Sequence, residues 1–217
     1  MSEIVSTILR SAASAMSVPV QIILILFMVF ALFSIGWVLV EYFTEHRKMK
    51  AVLEVLLDDI RSEEQPLEKV ITESSLLDRQ KNVLIELTHH ASMSSDLRAS
   101  LADSLVEKES DHYDSVVKIT DVVSKLAPMF GLLGTLIPLG PGLIALGQGD
   151  TYVLSTSLLT AFDTTIAGLL AAAVCLVIST IRKRWYSGYM SDLETLADCV
   201  LEVEERSSTD IEFITAE

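Results

Sequence analysis

At 217 residues the chain has the length of one or two soluble domains, but half of its residues are hydrophobic and its mean hydropathy of +0.45 is too apolar for that class. A net charge of −14 argues against a nucleic-acid partner, because neutralising phosphates takes a clustered excess of Lys and Arg. Cys175 and Cys199 show no metal-ligand spacing, and the first sits inside an apolar run, so neither a metal site nor a disulfide is expected.

Charge is absent between Arg10 and Glu41 and between Lys125 and Asp150, and only Asp163 interrupts the run from Asp150 to Arg182. Each gap exceeds the roughly 20 residues that a helix rising about 1.5 Å per residue needs to cross about 30 Å of hydrocarbon. The expected fold is an all-α membrane protein with three transmembrane helices and long helical extensions.

Residues 1–17 form a Ser- and Ala-rich outer segment. Its small residues Ala12, Ala13 and Ala15 precede the apolar core instead of following it, so an uncleaved N-terminus is expected. The first span covers 18–43: Pro19 suits its first turn, Gln21, Ser34 and Gly36 break its apolar run, and Trp37 and Tyr42 mark an interface. Arg47, Lys48 and Lys50 follow this span, Arg182, Lys183 and Arg184 follow the third, and the link GQGDTY between spans two and three has neither Lys nor Arg. The positive-inside rule then puts the N-terminus outside, residues 44–125 in the cytoplasm, the link outside and the 182–217 tail in the cytoplasm.

The 44–125 region reads as helix. Met49, Val52, Leu53, Leu56 and Ile60 keep helical spacing, a break falls at Glu63 to Pro66, and Leu67, Val70, Ile71, Leu77, Leu84 and Leu87 follow. Ser92, Ser94, Ser95 and Asp96 offer an N-cap for a helix whose stripe runs through Leu97, Leu101, Leu105, Tyr113, Val116 and Val123 and on into the second span, 126–148. In the tail, Leu193, Leu196, Val200 and Val203 make a heptad-like stripe that favours packing, and the residues from about Ser207 are polar and expected to fray. His89, His90 and His112 have no second ligand at useful spacing and read as solvated surface residues, so a soluble-type enzyme is not expected.

Span two is LAPMFGLLGTLIPLGPGLIALG. Gly131 and Gly134, one turn apart, let another helix approach; Thr135 adds a hydroxyl; Pro138 and Pro141 free backbone carbonyls. Span three, 153–181, holds Ser155, Thr156, Ser157, Thr160, Asp163, Thr164 and Thr165 in its outer half. A hydroxyl there usually bonds to its own helix. A carboxylate at membrane depth is costly, which makes Asp163 a functional candidate; the competing reading is a neutral Asp hydrogen-bonded to a threonine.

AP-x-x-GLLGT at Ala127 to Thr135, with TT-x-x-GLLAA at Thr164 to Ala172, resembles the paired pore-helix motifs of the MotA/TolQ/ExbB proton-channel family, and the layout of spans agrees. The resemblance implies that Thr135 and Thr165 line a pore and that Pro128 stands at its cytoplasmic entrance. Thr164 is counted with them in the ion pathway and Gly131, Gly134 and Gly168 in helix packing, while Pro138 and Pro141 depart from the family, whose helix is usually more regular there, and bear on the shape of the outer pore mouth. TolQ- and ExbB-like members carry a glutamate where this chain has Thr160. Asp163, about 60° away around the helix and one turn along it, is the candidate replacement. The family further implies a multi-pass protein of the cytoplasmic (inner) membrane, five copies forming a ring around single-span partners of the ExbD/TolR/MotB kind, and no cofactor. Flow of H⁺, or of Na⁺ on an oxygen-rich ring, would drive the partner's movement. The alternatives are a non-conducting membrane scaffold and a signalling protein with a helical binding region.

Overall fold

The computed structural model describes residues 2–43, 56–57, 60, 66–74, 76–90 and 93–215. It is 94% helical, and no strand occurs among the described residues. The helices are α1 (Ser2–Glu41), α2 (Leu67–Glu73), α3 (Asp78–His89), α4 (Ser95–Gly147) and α5 (Thr151–Thr215). Three of them, α1, α4 and α5, are long and apolar enough to cross a membrane. Both α4 and α5 continue unbroken from their apolar stretches into charged sequence, and α4 stays helical through Pro128, Pro138 and Pro141. The turn between them relies on Gly149, whose φ of 81° suits a residue without Cβ, and on Asp150, whose Oδ1 accepts from the backbone N–H groups of Tyr152 and Val153 at 3.1 Å each.

The chain divides into two compact units. The first comprises Met1–Val38 and Val117–Ile181. Its packed centre is Ala31, Val123, Ala127, Ala171, Ala172 and Cys175, with Phe27, Phe30 and Val174 against it. Small residues dominate because three helices meet there with little room for side chains. The outward faces carry Ile25, Phe33, Leu136, Leu143, Leu159 and Ile166, the apolar surface that a lipid-facing unit presents.

The second unit comprises Leu39–Val116 and Arg182–Glu217. Its core is aliphatic: Ile71, Leu84 and Leu87 meet Leu105, Leu193, Leu196 and Val200. The tail stripe is therefore a packed face. Leu56 and Ile60 are buried here as their spacing suggests, while Met49, Val52, Leu53, Ser92 and the basic run of Arg47, Lys48 and Lys50 lie outside the described residues. One stripe position differs from expectation. Leu97 is 51% exposed, and the next residue, Arg98, turns inward to bond Glu204 at 2.9 Å. The inward face of α4 passes through Arg98, Ala102, Leu105, Glu109 and Tyr113, so two charges belong to a stripe that apolar spacing alone does not reveal. A second buried charge group joins Glu41 to Arg182, at 3.0 and 3.1 Å, and to the Tyr186 hydroxyl, which donates at 2.6 Å.

Candidate ion pathway

The α4 and α5 segments of the first unit lie backbone to backbone. A Cβ placed on Gly168 would stand 2.7 Å from the Ala127 carbonyl oxygen and 2.9 Å from Gly131 Cα; one on Gly134 would stand 2.7 Å from Thr164 Cβ; one on Gly131 would stand 3.3 Å from Gly168 Cα. Close approach of this kind is what small residues provide in a bilayer, where apolar side chains gain little by leaving lipid. Thr164 is buried in this seam, and Thr135 and Thr165 sit half-buried beside it.

Each of these hydroxyls donates its proton to its own helix. Thr135 bonds the Leu132 carbonyl at 2.7 Å, and Thr160 and Thr165 bond the Thr156 and Ala161 carbonyls at 3.0 Å each. Thr164 is shared between the Thr160 and Ala161 carbonyls. A hydroxyl whose proton is committed in this way presents lone pairs, so the exposed threonine oxygens are acceptors. Acceptors suit a hydrated proton, a metal cation or a protonated carboxyl group. Pro138 and Pro141 have no amide proton and leave the Gly134 and Ile137 carbonyls without their usual helical donors, adding acceptor capacity at the same level.

The candidate residues fall on two sides of the helix pair. Helix α1 packs on one side, shown by the edge-to-face contact of Phe27 with Phe130, centroids 5.7 Å apart, and by Val174 in the shared cluster. At about 100° per residue, Thr135 lies roughly 140° round α4 from Phe130, and Thr165 roughly 180° round α5 from Val174. Both threonines therefore face away from α1. Asp163 lies only about 20° from Val174 and about 160° from Thr165, on the α1 side, and Thr160 lies between it and the seam.

Residues 62–195 match the model of the MotA/TolQ/ExbB proton channel family. The chain belongs to that family. No curated protein matches the chain. Membership makes it a multi-pass membrane protein of a channel class, and the family's proton-channel role in membrane complexes extends to it in that general form. The matched segment contains the seam, both threonines on the face away from α1, and Asp163.

Asp163 is exposed, between the exposed Phe162, Leu159 and Ile166, and no described side chain bonds to it. The hydrogen bond between a neutral Asp163 and a threonine that the competing reading calls for does not occur among the described residues, although Thr160 and Thr164 keep oxygen lone pairs that could accept one. His89, His90 and His112 are exposed, and no group of three or more His, Cys, Asp or Glu suited to a metal occurs among the described residues.

Several polar partnerships escape sequence reasoning. Asp121 accepts from Ser179 at 3.3 Å and from Lys125 at 2.7 Å in the first unit, and the Glu41–Arg182–Tyr186 and Arg98–Glu204 groups lie in the second. The available signal was positional: Arg98, Glu109, Thr120 and Ser124 share a helical face with apolar residues that are buried.

Proposed function

We propose that this protein is the ion-conducting subunit of a membrane motor driven by the proton-motive force. Copies of the chain, five in the arrangement the family resemblance implies, form a ring around single-span partner helices of the ExbD/TolR/MotB kind in the cytoplasmic membrane. The threonine face of the α4/α5 pair lines the central path, the charged unit lies in the cytoplasm, and the 148–150 turn lies outside. The supporting observation is that glycine packing brings Thr135 and Thr165 to one side of the pair, each presenting an acceptor oxygen. There they hydrate and position a carboxyl group of the partner as it gains and loses an ion. H⁺ is the carried ion of the family; the acceptor-only surface also suits Na⁺. Asp163 relays the ion or holds a cation on the opposite side of α5, where a neighbouring copy would lie. Each charge moved across 100 mV releases about 2.3 kcal/mol to drive the partner.

The test is ion flux across vesicles that contain the complex captured from native membranes through a tag on this chain, with a potassium gradient and valinomycin setting the potential. Thr165→Val and Thr135→Val should each lower flux tenfold or more, and Asp163→Asn should do the same without loss of assembly. Wild-type flux in both threonine variants would identify a scaffold in place of a channel; wild-type flux in Asp163→Asn alone would remove that carboxylate from the path.

A further inference from the structure

The threonine face carries a second polar pair. Asp121 of α4 and Ser179 of α5 face one another, with the Ser179 hydroxyl 3.3 Å from Asp121 Oδ1 and Lys125 Nζ 2.7 Å from Oδ2. Asp121 precedes Thr135 by fourteen residues, and Ser179 follows Thr165 by fourteen. Fourteen residues at about 100° fall only some 40° short of four full turns and span about 21 Å. In an antiparallel pair, equal steps in opposite chain directions arrive at the same level. The Asp121–Ser179 contact thus repeats, four turns away and on the same side, the placement of Thr135 beside Thr165. Between them, seven residues from either pair, stand Pro128 and Ala172, with exposed Leu132 and Leu176 on the same face.

The face reads as acceptor oxygens, an apolar waist and a carboxylate, along most of the thickness of a membrane. Ser179 is 1% exposed and has its oxygen against Asp121, which keeps one carboxylate oxygen at the seam. The Lys125 side chain is 71% exposed and the Asp121 side chain 24%. With its lysine end exposed, such an i,i+4 pair is worth about 0–1 kcal/mol, so Lys125 offsets only part of the carboxylate's attraction for a passing cation. Rings of carboxylates at a channel mouth concentrate cations, and in a ring of copies every chain contributes one such group.

We infer that Asp121 is the inner-mouth carboxylate of the ion path, held at the α4/α5 seam by Ser179, and that it exchanges the cation between the cytoplasm and the threonine level across the apolar waist. This rests on the proposed function, because it needs the threonine face to be the conducting one. Nothing in the family resemblance assigns a role to Asp121 or Ser179.

The experiment uses charge restoration, which a packing role would not mimic. In the captured complex with Cys175 and Cys199 replaced by serine, Asp121→Cys should lower flux about tenfold. Labelling the new thiol with sulfonatoethyl methanethiosulfonate, which adds a negative charge, should restore at least half of the parent flux; the trimethylammonium reagent of similar size should not. Asp121→Glu should conduct within about threefold of wild type. Parent-level flux in Asp121→Cys, or equal effects of the two reagents, overturns the inference. If Asp121→Cys fails to assemble, Lys125→Cys with the same two reagents decides, with lower flux for the cationic adduct expected and equal flux fatal. Thr165→Val separates the two levels of argument: lost flux there with normal flux in Asp121→Cys defeats only this inference, and normal flux in Thr165→Val defeats the conducting face itself.

Discussion

Replacing Gly168 by alanine puts a methyl group where the α4 backbone already is. The new Cβ would lie 2.7 Å from the Ala127 carbonyl oxygen and 2.9 Å from Gly131 Cα, against ordinary contacts of 3.4–4 Å. Neither obstacle is a side chain that could rotate away, so the helices must part by roughly 0.7 Å; a gap of about 0.5–1 Å already forfeits a quarter to a half of each dispersion contact along the seam. Overpacking of this kind costs about 1–3 kcal/mol. Gly134→Ala meets Thr164 Cβ at 2.7 Å instead, so moving the methyl across the seam, as Gly134→Ala with Thr164→Gly, should recover most of the loss. Gly140→Ala has nothing within 4 Å and should be neutral or gain about 0.5–1 kcal/mol from helix propensity. Unfolding of the purified protein in mixed micelles by added dodecyl sulfate, followed by the fluorescence of Trp37 and Trp185, ranks the four variants. Equal stability of Gly168→Ala and Gly140→Ala would falsify the close-packed seam on which the placement of both threonines depends.

Glu41→Ala removes the carboxylate from a buried group and leaves Arg182 and Tyr186 without it; breaking a buried pair from one side costs about 3–5 kcal/mol. Thermal unfolding in detergent measures that loss, and a change below about 1 kcal/mol would show that water reaches Arg182 freely. Glu204 supplies a pH dependence. Its burial pushes the carboxyl above the usual range, against the opposing pull of Arg98. An acid whose pKa is higher in the fold than in the unfolded chain binds its proton more tightly when folded. Its contribution to stability is greatest below the unfolded value of about 4.3 and falls as pH rises through the folded value. Acidifying from pH 7 towards the unfolded carboxylate value of about 4.3 should therefore stabilise wild type more than Glu204→Gln, and identical pH slopes in urea unfolding across that whole range would refute the assignment.

Two charge-free gaps and a third interrupted only by Asp163 give the three spans directly, since a helix of that length so poor in ionised groups belongs to hydrocarbon. Gly131 and Gly134, one turn apart, mark a face open to close helix approach in the sequence, but that Gly168 is the residue they meet is visible only in the structure. The polar couplings were hidden for a definite reason. Asp121 sits in KITDVVSKLAP as an ordinary amphipathic acid, and its partner Ser179 is 58 residues away on a helix that runs in the opposite direction. Pairing of this type depends on the register of two helices, and the glycine contacts that set it exist only in three dimensions. Arg98 and Glu204 are 106 residues apart and were obscured likewise, with an apolar neighbour, Leu97, occupying the position that periodicity favoured.

The separation of Asp163 from the threonines changes what the carboxylate can do. Grouped by number, positions 160 to 165 look like one site, yet about 160° of helix separates Asp163 from Thr165. An aspartate side chain reaches only a few ångströms, less than the width of the helix that intervenes. An ion at the Thr135–Thr165 face is therefore not passed to Asp163 of the same chain. In a ring the same two surfaces can approach one another only across a boundary between copies, Asp163 of one beside the α4 or α5 face of the next. Under the proposed ring, the absence of a partner for Asp163 among the described residues is what a carboxylate completed by a neighbouring copy would show.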